Sequence, residues 1–374
     1  MPDSLPQGRL HYMDHLRALA MLAGVLFHAA LAYSPLMASF WPAADRQNSP
    51  WVDAVAWGLH LVRMPLFFLV AGFFAAWLVA NRGQGGMFRQ RLRRIALPFA
   101  VALPLVVWTM TAGIHWAATA VQHPPAVLVM VRAFLQMPDP PRVMPTTSHL
   151  WFLYYLLLFT ILHWVARTLD LGRIGQWLSR RFPLWILAGM PLFLVLPLAS
   201  VSAPHPAPES LLPQFWAVAF YGAFFALGTL VHGQADWLRR MRPHVPWLVA
   251  GAVALYALFL WRLAIEPPGP TQPTASWVMA VLQACLATWL TLLCLMAGQR
   301  LLDRPSPVMT YLSQAAYWTY LLHLPLLLAL QYLLMDLALA WPLKLGLASA
   351  GTLAVCLLSY QVLVRHTPLR RFVG

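Results

Sequence analysis

Asp14, Arg17 and His28 stand inside one apolar run, in the pattern Asp-x-x-Arg followed by ten residues and a histidine. On a helix turning 100° per residue, Arg17 and His28 project within about 20° of one another and about 16 Å apart, and Asp14 can pair with Arg17 at i, i+3. Arg91 and Arg94 have the same three-residue spacing, in Arg89-Gln-Arg-Leu-Arg-Arg94 ahead of Pro98. Two guanidiniums on one face suit a polyanionic, phosphate-bearing ligand. His60 and Arg63 lie one turn apart in a second apolar run, with Arg63 about 18 Å from its start near Trp51. His149 opens a fourth run and His323 stands midway along a ninth. An ionisable group in hydrocarbon costs several kcal/mol unless it is paired or faces a polar cavity, which makes each of these a candidate for function. Each also has a plainer role: an interfacial ion pair for Asp14 and Arg17, interhelical hydrogen bonds for the histidines, lipid headgroup contacts for the arginines. The remaining histidines, His205 among them, stand in no such context.

The elements that must position these residues are membrane helices. Of 374 residues, 60% are hydrophobic and 10% charged, against about 25% charged in a soluble domain. Crossing about 30 Å of hydrocarbon takes about 20 apolar residues. Ten segments qualify, at 12–34, 52–80, 95–120, 147–167, 183–201, 213–232, 245–263, 275–298, 308–335 and 342–364. Pro-rich connectors such as Met137-Pro-Asp-Pro-Pro-Arg, Ser202-Ala-Pro-His-Pro-Ala-Pro-Glu and Glu266-Pro-Pro-Gly-Pro-Thr-Gln-Pro cannot continue a helix. No repeat of fixed period and no long polar tail interrupts the pattern, so residues 1–374 read as one all-α transmembrane domain. The N-terminus lacks a clustered basic region and a cleavage signal, and the first helix is expected to be retained.

There are 25 Lys and Arg against 11 Asp and Glu. Nineteen of the 25 fall on one side of the expected bundle: Arg9 and Arg17, the 2–3 connector (Arg82, Arg89, Arg91, Arg93, Arg94), the 4–5 connector (Arg167, Arg173, Arg180, Arg181), and the 6–7, 8–9 and C-terminal segments. The positive-inside rule then puts both termini in the cytoplasm. The basic excess is a topology signal; no groove-reading module accompanies it, and nucleic acid is not an expected partner.

Cys285, Cys294 and Cys356 all fall in apolar spans, where a thiol packs as a small hydrophobe. No disulfide framework is expected, and no metal: neither H-E-x-x-H nor a short His-x-His pair occurs, and intramembrane carboxylates are nearly absent. There is also no G-x-S-x-G elbow, phosphate-cradling glycine loop or paired-carboxylate arrangement.

The ordered set Asp14-x-x-Arg17 with His28, Arg91-x-x-Arg94 ahead of Pro98, Phe67-Phe-Leu-Val-Ala-Gly-Phe73, His149-Leu-Trp-Phe-Leu153 and Tyr320-Leu-Leu-His-Leu-Pro325 resembles the acyltransferase 3 family of integral membrane acyltransferases over essentially the whole chain. Within it, Ser148-His-Leu-Trp-Phe-Leu153, Phe27-His28 with Tyr33-Ser34, and His60 with Arg63-Met64 are most similar to the succinyltransferases of osmoregulated periplasmic glucans. The resemblance implies transfer of an acyl group from cytoplasmic acyl-CoA to a hydroxyl of a periplasmic or lipid-linked glycan, at the bacterial inner membrane. It implies His28 as the essential histidine, Arg91 and Arg94 as acyl-CoA contacts, and acyl-CoA (succinyl-CoA or acetyl-CoA) as a substrate, with no bound cofactor.

The chemistry expected of the residues is general base catalysis by His28 toward the acceptor hydroxyl, with a transient acyl-histidine as the alternative. Asp14 is about 21 Å away on the same helix, so the partner of His28 is expected to be His149 or His323. Arg63 is expected to capture the distal carboxylate of a succinyl group or to stabilise the thioester oxyanion. Asp14, Arg17, His60 and Trp151 complete the candidate substrate contacts. O-acetylation of an exopolysaccharide or surface polysaccharide is the neighbouring alternative. A saccharide transporter or flippase would also use buried arginines and histidines, but matching inverted halves with broken helices are missing.

Overall fold

Apolar runs of bilayer length satisfy their backbone groups only as helices, and in a computed structural model of the chain they do so. The structure describes residues 11–139, 145–171, 173, 177, 185–232, 235–265 and 273–373. The helices are α1 (His11–Leu31), α2 (Pro50–Arg91), α3 (Leu97–Ala120), α4 (Ala126–Leu135), α5 (Trp151–Thr168), α6 (Trp185–Leu198), α7 (Phe215–His232), α8 (Ala235–Met241), α9 (Val245–Ile265), α10 (Pro273–Leu301), α11 (Pro307–Met335), α12 (Trp341–Ser359) and α13 (Arg370–Val373). No strand occurs among the described residues; a single isolated bridge pairs Thr146 with Ser210.

Among the described residues, eight helical segments are long and apolar enough to cross a membrane, where the sequence predicts ten. One of the eight accounts for two expected spans. Residues Pro50–Ala120 form a run of 71 residues in which Gly83 has φ 70° and ψ 173°, a conformation open to glycine alone at little cost. The chain reverses there. The Arg91 guanidinium donates from Nη2 to the carbonyl of Ala71 at 3.1 Å, whereas 20 residues of straight helix would separate them by about 30 Å. The expected span 183–201 is observed as α6, 14 residues among those described and containing Pro191 and Pro197; 183 and 184 lie outside the described residues. α4, ten residues long, was not anticipated. Its Arg132 donates to the carbonyls of Ala118 and Val121 at 2.5 and 3.2 Å, satisfying acceptors that the end of α3 leaves open. The 137–142 and 266–273 connectors and Arg9, Arg180 and Arg181 lie wholly or partly outside the described residues.

α2 is the axis of the bundle. Phe68 is fully buried against the rings of Phe152, Phe159 and Tyr221, at 4.8, 5.3 and 4.8 Å between centroids. α2 meets α7 at backbone contact: a Cβ on Gly72 would lie 2.0 Å from the Phe225 carbonyl oxygen, and one on Gly228 1.9 Å from that of Leu69. Small residues that let helices approach this closely drive association where no hydrophobic force separates helix from lipid.

Basic connectors gather at one end. Arg82, Arg89, Arg93, Arg94 and Arg371 line one surface cavity of about 600 Å³, and Arg93 stacks over Phe372. The backbone N–H of Tyr12 donates to Asp303 at 3.4 Å, bringing the start of α1 to the same end. At the other end the 32–49 loop folds back on the bundle. Lys344 pairs with Asp45 at 2.7 Å with both side chains buried, and Trp41 Nε1 donates to Gln331 at 3.1 Å.

Candidate active site

Two cavities of the bundle hold the residues that the sequence singles out. The first, about 270 Å³, contains Arg17, Arg91 and Arg94 on otherwise largely apolar walls from α2, α5 and α11. Arg17 pairs with Asp14 at 3.3 Å and donates to Ser313 Oγ and O at 2.6 and 3.0 Å. Asp14 itself does not line the cavity. Arg91 is held by the Ala71 carbonyl. Arg94 lies in a π-helical turn, Leu92–Ala96, a local widening frequent at functional sites. The structure thus brings Arg17 to the pair that the sequence singled out, and Asp14 serves it from behind.

The second cavity, about 790 Å³, contains His28, His60, Arg63, His149, Trp151 and His323. All six are sequence-predicted site residues, delivered by α1, α2, α5 and its approach, and α11. Ser148, with φ 49°, turns the chain into the short 3-10 segment Ser148–Leu150 that carries His149. Such a conformation is uncommon outside glycine and costs of order 1–3 kcal/mol. The Ser148 N–H is compensated by donating to Thr146 Oγ1 at 2.9 Å.

The polar contacts fix which nitrogens can act. Arg63 Nη1 lies 3.3 Å from His28 Nε2. A guanidinium only donates, so Nε2 carries the lone pair and the neutral ring bears its proton on Nδ1. The expected partner of His28, His149 or His323, is therefore corrected to Arg63. His323 is a ring neighbour at 5.4 Å between centroids, and His149 continues the row at 5.2 Å from His323; neither is hydrogen-bonded to His28. His323 Nδ1 lies 2.8 Å from the Tyr320 carbonyl and must donate to it, which leaves Nε2 as the lone pair. His60 Nε2 donates to the His205 carbonyl at 3.1 Å. Arg63 also stacks over Phe27, its carbon 4.0 Å from the ring centroid. Among the described residues Arg63 has no carboxylate partner, and no three His, Cys, Asp or Glu side chains are grouped to hold a metal.

Four residues of this cavity escaped sequence reading: Trp41, Trp57, His205 and Glu209. Trp41 stacks on His28, 5.9 Å between centroids and 18° between planes, from a connector that showed no helical period. His205 has no context in the sequence that marks it for function. Its backbone N–H donates to buried Gln283 at 2.9 Å, its ring lies 4.4 Å from that of His60, and neither ring nitrogen has a hydrogen-bond partner. It is 2% exposed, and burial pushes it down to about 4. The run Pro-His-Pro-Ala-Pro-Glu, with a histidine beside a carboxylate in a chain poor in carboxylates, is the available signal. Thr147 N–H and Oγ1 both donate to the Glu209 carbonyl at 2.8 Å, docking that loop beside His149.

The chain is similar to proteins named glucans biosynthesis protein C from Salmonella paratyphi A and Salmonella agona, each 23% identical over 335 residues, 87% of this chain and 84% of the relative. No solved structure matches. The family profile described as an acyltransferase domain, acyltransferase 3, matches residues 10–361, and the chain belongs to that family of membrane acyltransferases.

Proposed function

We propose that the protein moves an acyl group, succinyl in the first instance, from acyl-CoA in the arginine cavity to a glucan hydroxyl in the histidine cavity. The observation that carries this is that two cavities of contrasting chemistry abut, sharing three lining residues. One presents three guanidiniums suited to the phosphates of CoA. The other presents imidazoles and indoles suited to a sugar ring and its hydroxyls. The gathering of basic connectors at the arginine end supports a cytoplasmic position for it, and hence a periplasmic one for the histidines, in a bacterial inner membrane.

In this reading the acceptor hydroxyl takes the place of Arg63 at His28 Nε2 and gives its proton to the ring as its oxygen attacks the thioester carbonyl. The new C–O bond forms, the C–S bond breaks, and the proton passes to the departing thiolate to give free CoA. The displaced guanidinium is positioned to meet the oxyanion or the distal carboxylate of a succinyl group, for which it has no competing carboxylate partner among the described residues. His323, with its Nε2 lone pair, is placed to accept the same proton.

The test is purified protein with labelled succinyl-CoA and a glucose oligosaccharide. Acceptor-dependent CoA release with labelled ester on the sugar supports the reading. Movement of the sugar across a vesicle membrane without ester formation contradicts it in favour of transport.

A further inference from the structure

Phe67, Phe152 and Tyr320 line both cavities. Ring centroids are 5.4 Å apart for Phe67 and Phe152 and 5.7 Å for Phe152 and Tyr320, contact distances that leave no space between neighbouring rings. Each ring marks the crossing point of its own helix. On α2, Phe67 stands one turn from Arg63 of the histidine cavity and one turn from Ala71 of the other; at the start of α5, Phe152 separates His149 of the preceding 3-10 segment from Leu156; on α11, Tyr320 separates His323 from Tyr317. Two of the rings are fixed. The Tyr320 hydroxyl donates to the His149 carbonyl at 2.5 Å, and Phe152 packs on buried Phe68 at 4.8 Å. Phe67 is half-buried, with Phe152 as its one aromatic neighbour among the described residues.

We propose that Phe67, Phe152 and Tyr320 form a throat through which the acyl end of the donor reaches His28, and that this throat selects acyl groups by size, a role that rests on the acyl-transfer reading. Guanidiniums hold the phosphates on one side, so the thioester must cross the rings to meet a hydroxyl on the other. An apolar constriction discriminates by about 10- to 200-fold per methylene. Phe67, half-buried and holding no hydrogen bond, sets the opening against two rings that are held.

The experiment measures kcat/KM for long against short donors of equal charge, hexanoyl-CoA over acetyl-CoA and adipoyl-CoA over succinyl-CoA, with a glucose oligosaccharide as acceptor. Each ratio is taken on one preparation, so the folded fraction cancels. Phe67→Ala and Phe152→Leu are expected to raise the long-to-short ratio by about 10-fold or more, and Phe67→Trp to lower it. Phe67→Leu, a milder change, is expected to move the ratio in the same direction as Phe67→Ala. Unchanged ratios in variants that still transfer the short donor overturn the throat and leave the transfer reading intact. Wild-type protein that forms no ester from any donor overturns the transfer reading and the throat with it.

Discussion

The arginine cavity and the histidine cavity share three rings and little else. The first is about 270 Å³, with fixed cations: Arg17 is tied to Asp14 and Ser313, and Arg91 to the Ala71 carbonyl. The second is about 790 Å³ and is lined by neutral or titratable groups around one guanidinium that stacks on Phe27 and donates to His28. Fixed cations bind an anion equally before and after reaction, whereas a ring with an available lone pair changes protonation during it. In the proposed reaction, binding of the donor and chemistry on the acceptor are separated along the bundle, and substitutions on the two sides are expected to have different kinetic signatures.

The largest expected effect is at His28. His28→Ala is expected to lower kcat by about 10²- to 10⁴-fold while leaving the affinity for CoA, measured by titration calorimetry, unchanged. Weakened CoA binding would break the separation. Arg91→Ala with Arg94→Ala gives the reverse pattern, raising KM for acyl-CoA by about 10- to 100-fold, as loss of charge-assisted hydrogen bonds does, with KM for the glucan unaffected. Arg63→Met sharpens the contrast within the histidine cavity: succinyl transfer is expected to fall about 10-fold more than acetyl transfer, and equal losses would assign Arg63 to the oxyanion alone. The smallest effect concerns stability. His205 is held near 4 against an ordinary 6.5, so the unfolded chain binds its proton first, and the stability present above pH 6.5 is lost as pH falls through 4. His205→Gln is expected to flatten the fall of Tm between those pH values; an equally steep fall would show that other groups carry it.

Much of this was legible in the chain because membrane helices constrain sequence strongly. Leucine-rich runs marked the spans within a few residues, and ionisable groups inside them pointed to His28, Arg63, His149 and His323, which the fold brings to one cavity. The reversal at Gly83 was not legible as a continuous run: helical hydrogen bonding persists on both sides of one residue, and composition does not distinguish a hairpin from a connector. The partner of His28 was missed for a different reason. Arg63 lies 35 positions away on α2, and periodicity relates residues on one helix, not across two. Trp41, His205 and Glu209 come from connectors whose path depends on distant anchors, Lys344 with Asp45 and Gln283 with the His205 backbone, and such contacts leave no local pattern.

In the proposed reaction the acyl group changes sides of the membrane. Protein reconstituted into vesicles of defined orientation, with labelled succinyl-CoA only at the arginine end and glucose oligosaccharide only at the histidine end, tests it directly. Labelled ester on the oligosaccharide at the histidine end and free CoA at the arginine end are the expected result. Ester formed only when donor and acceptor occupy the same compartment would contradict it.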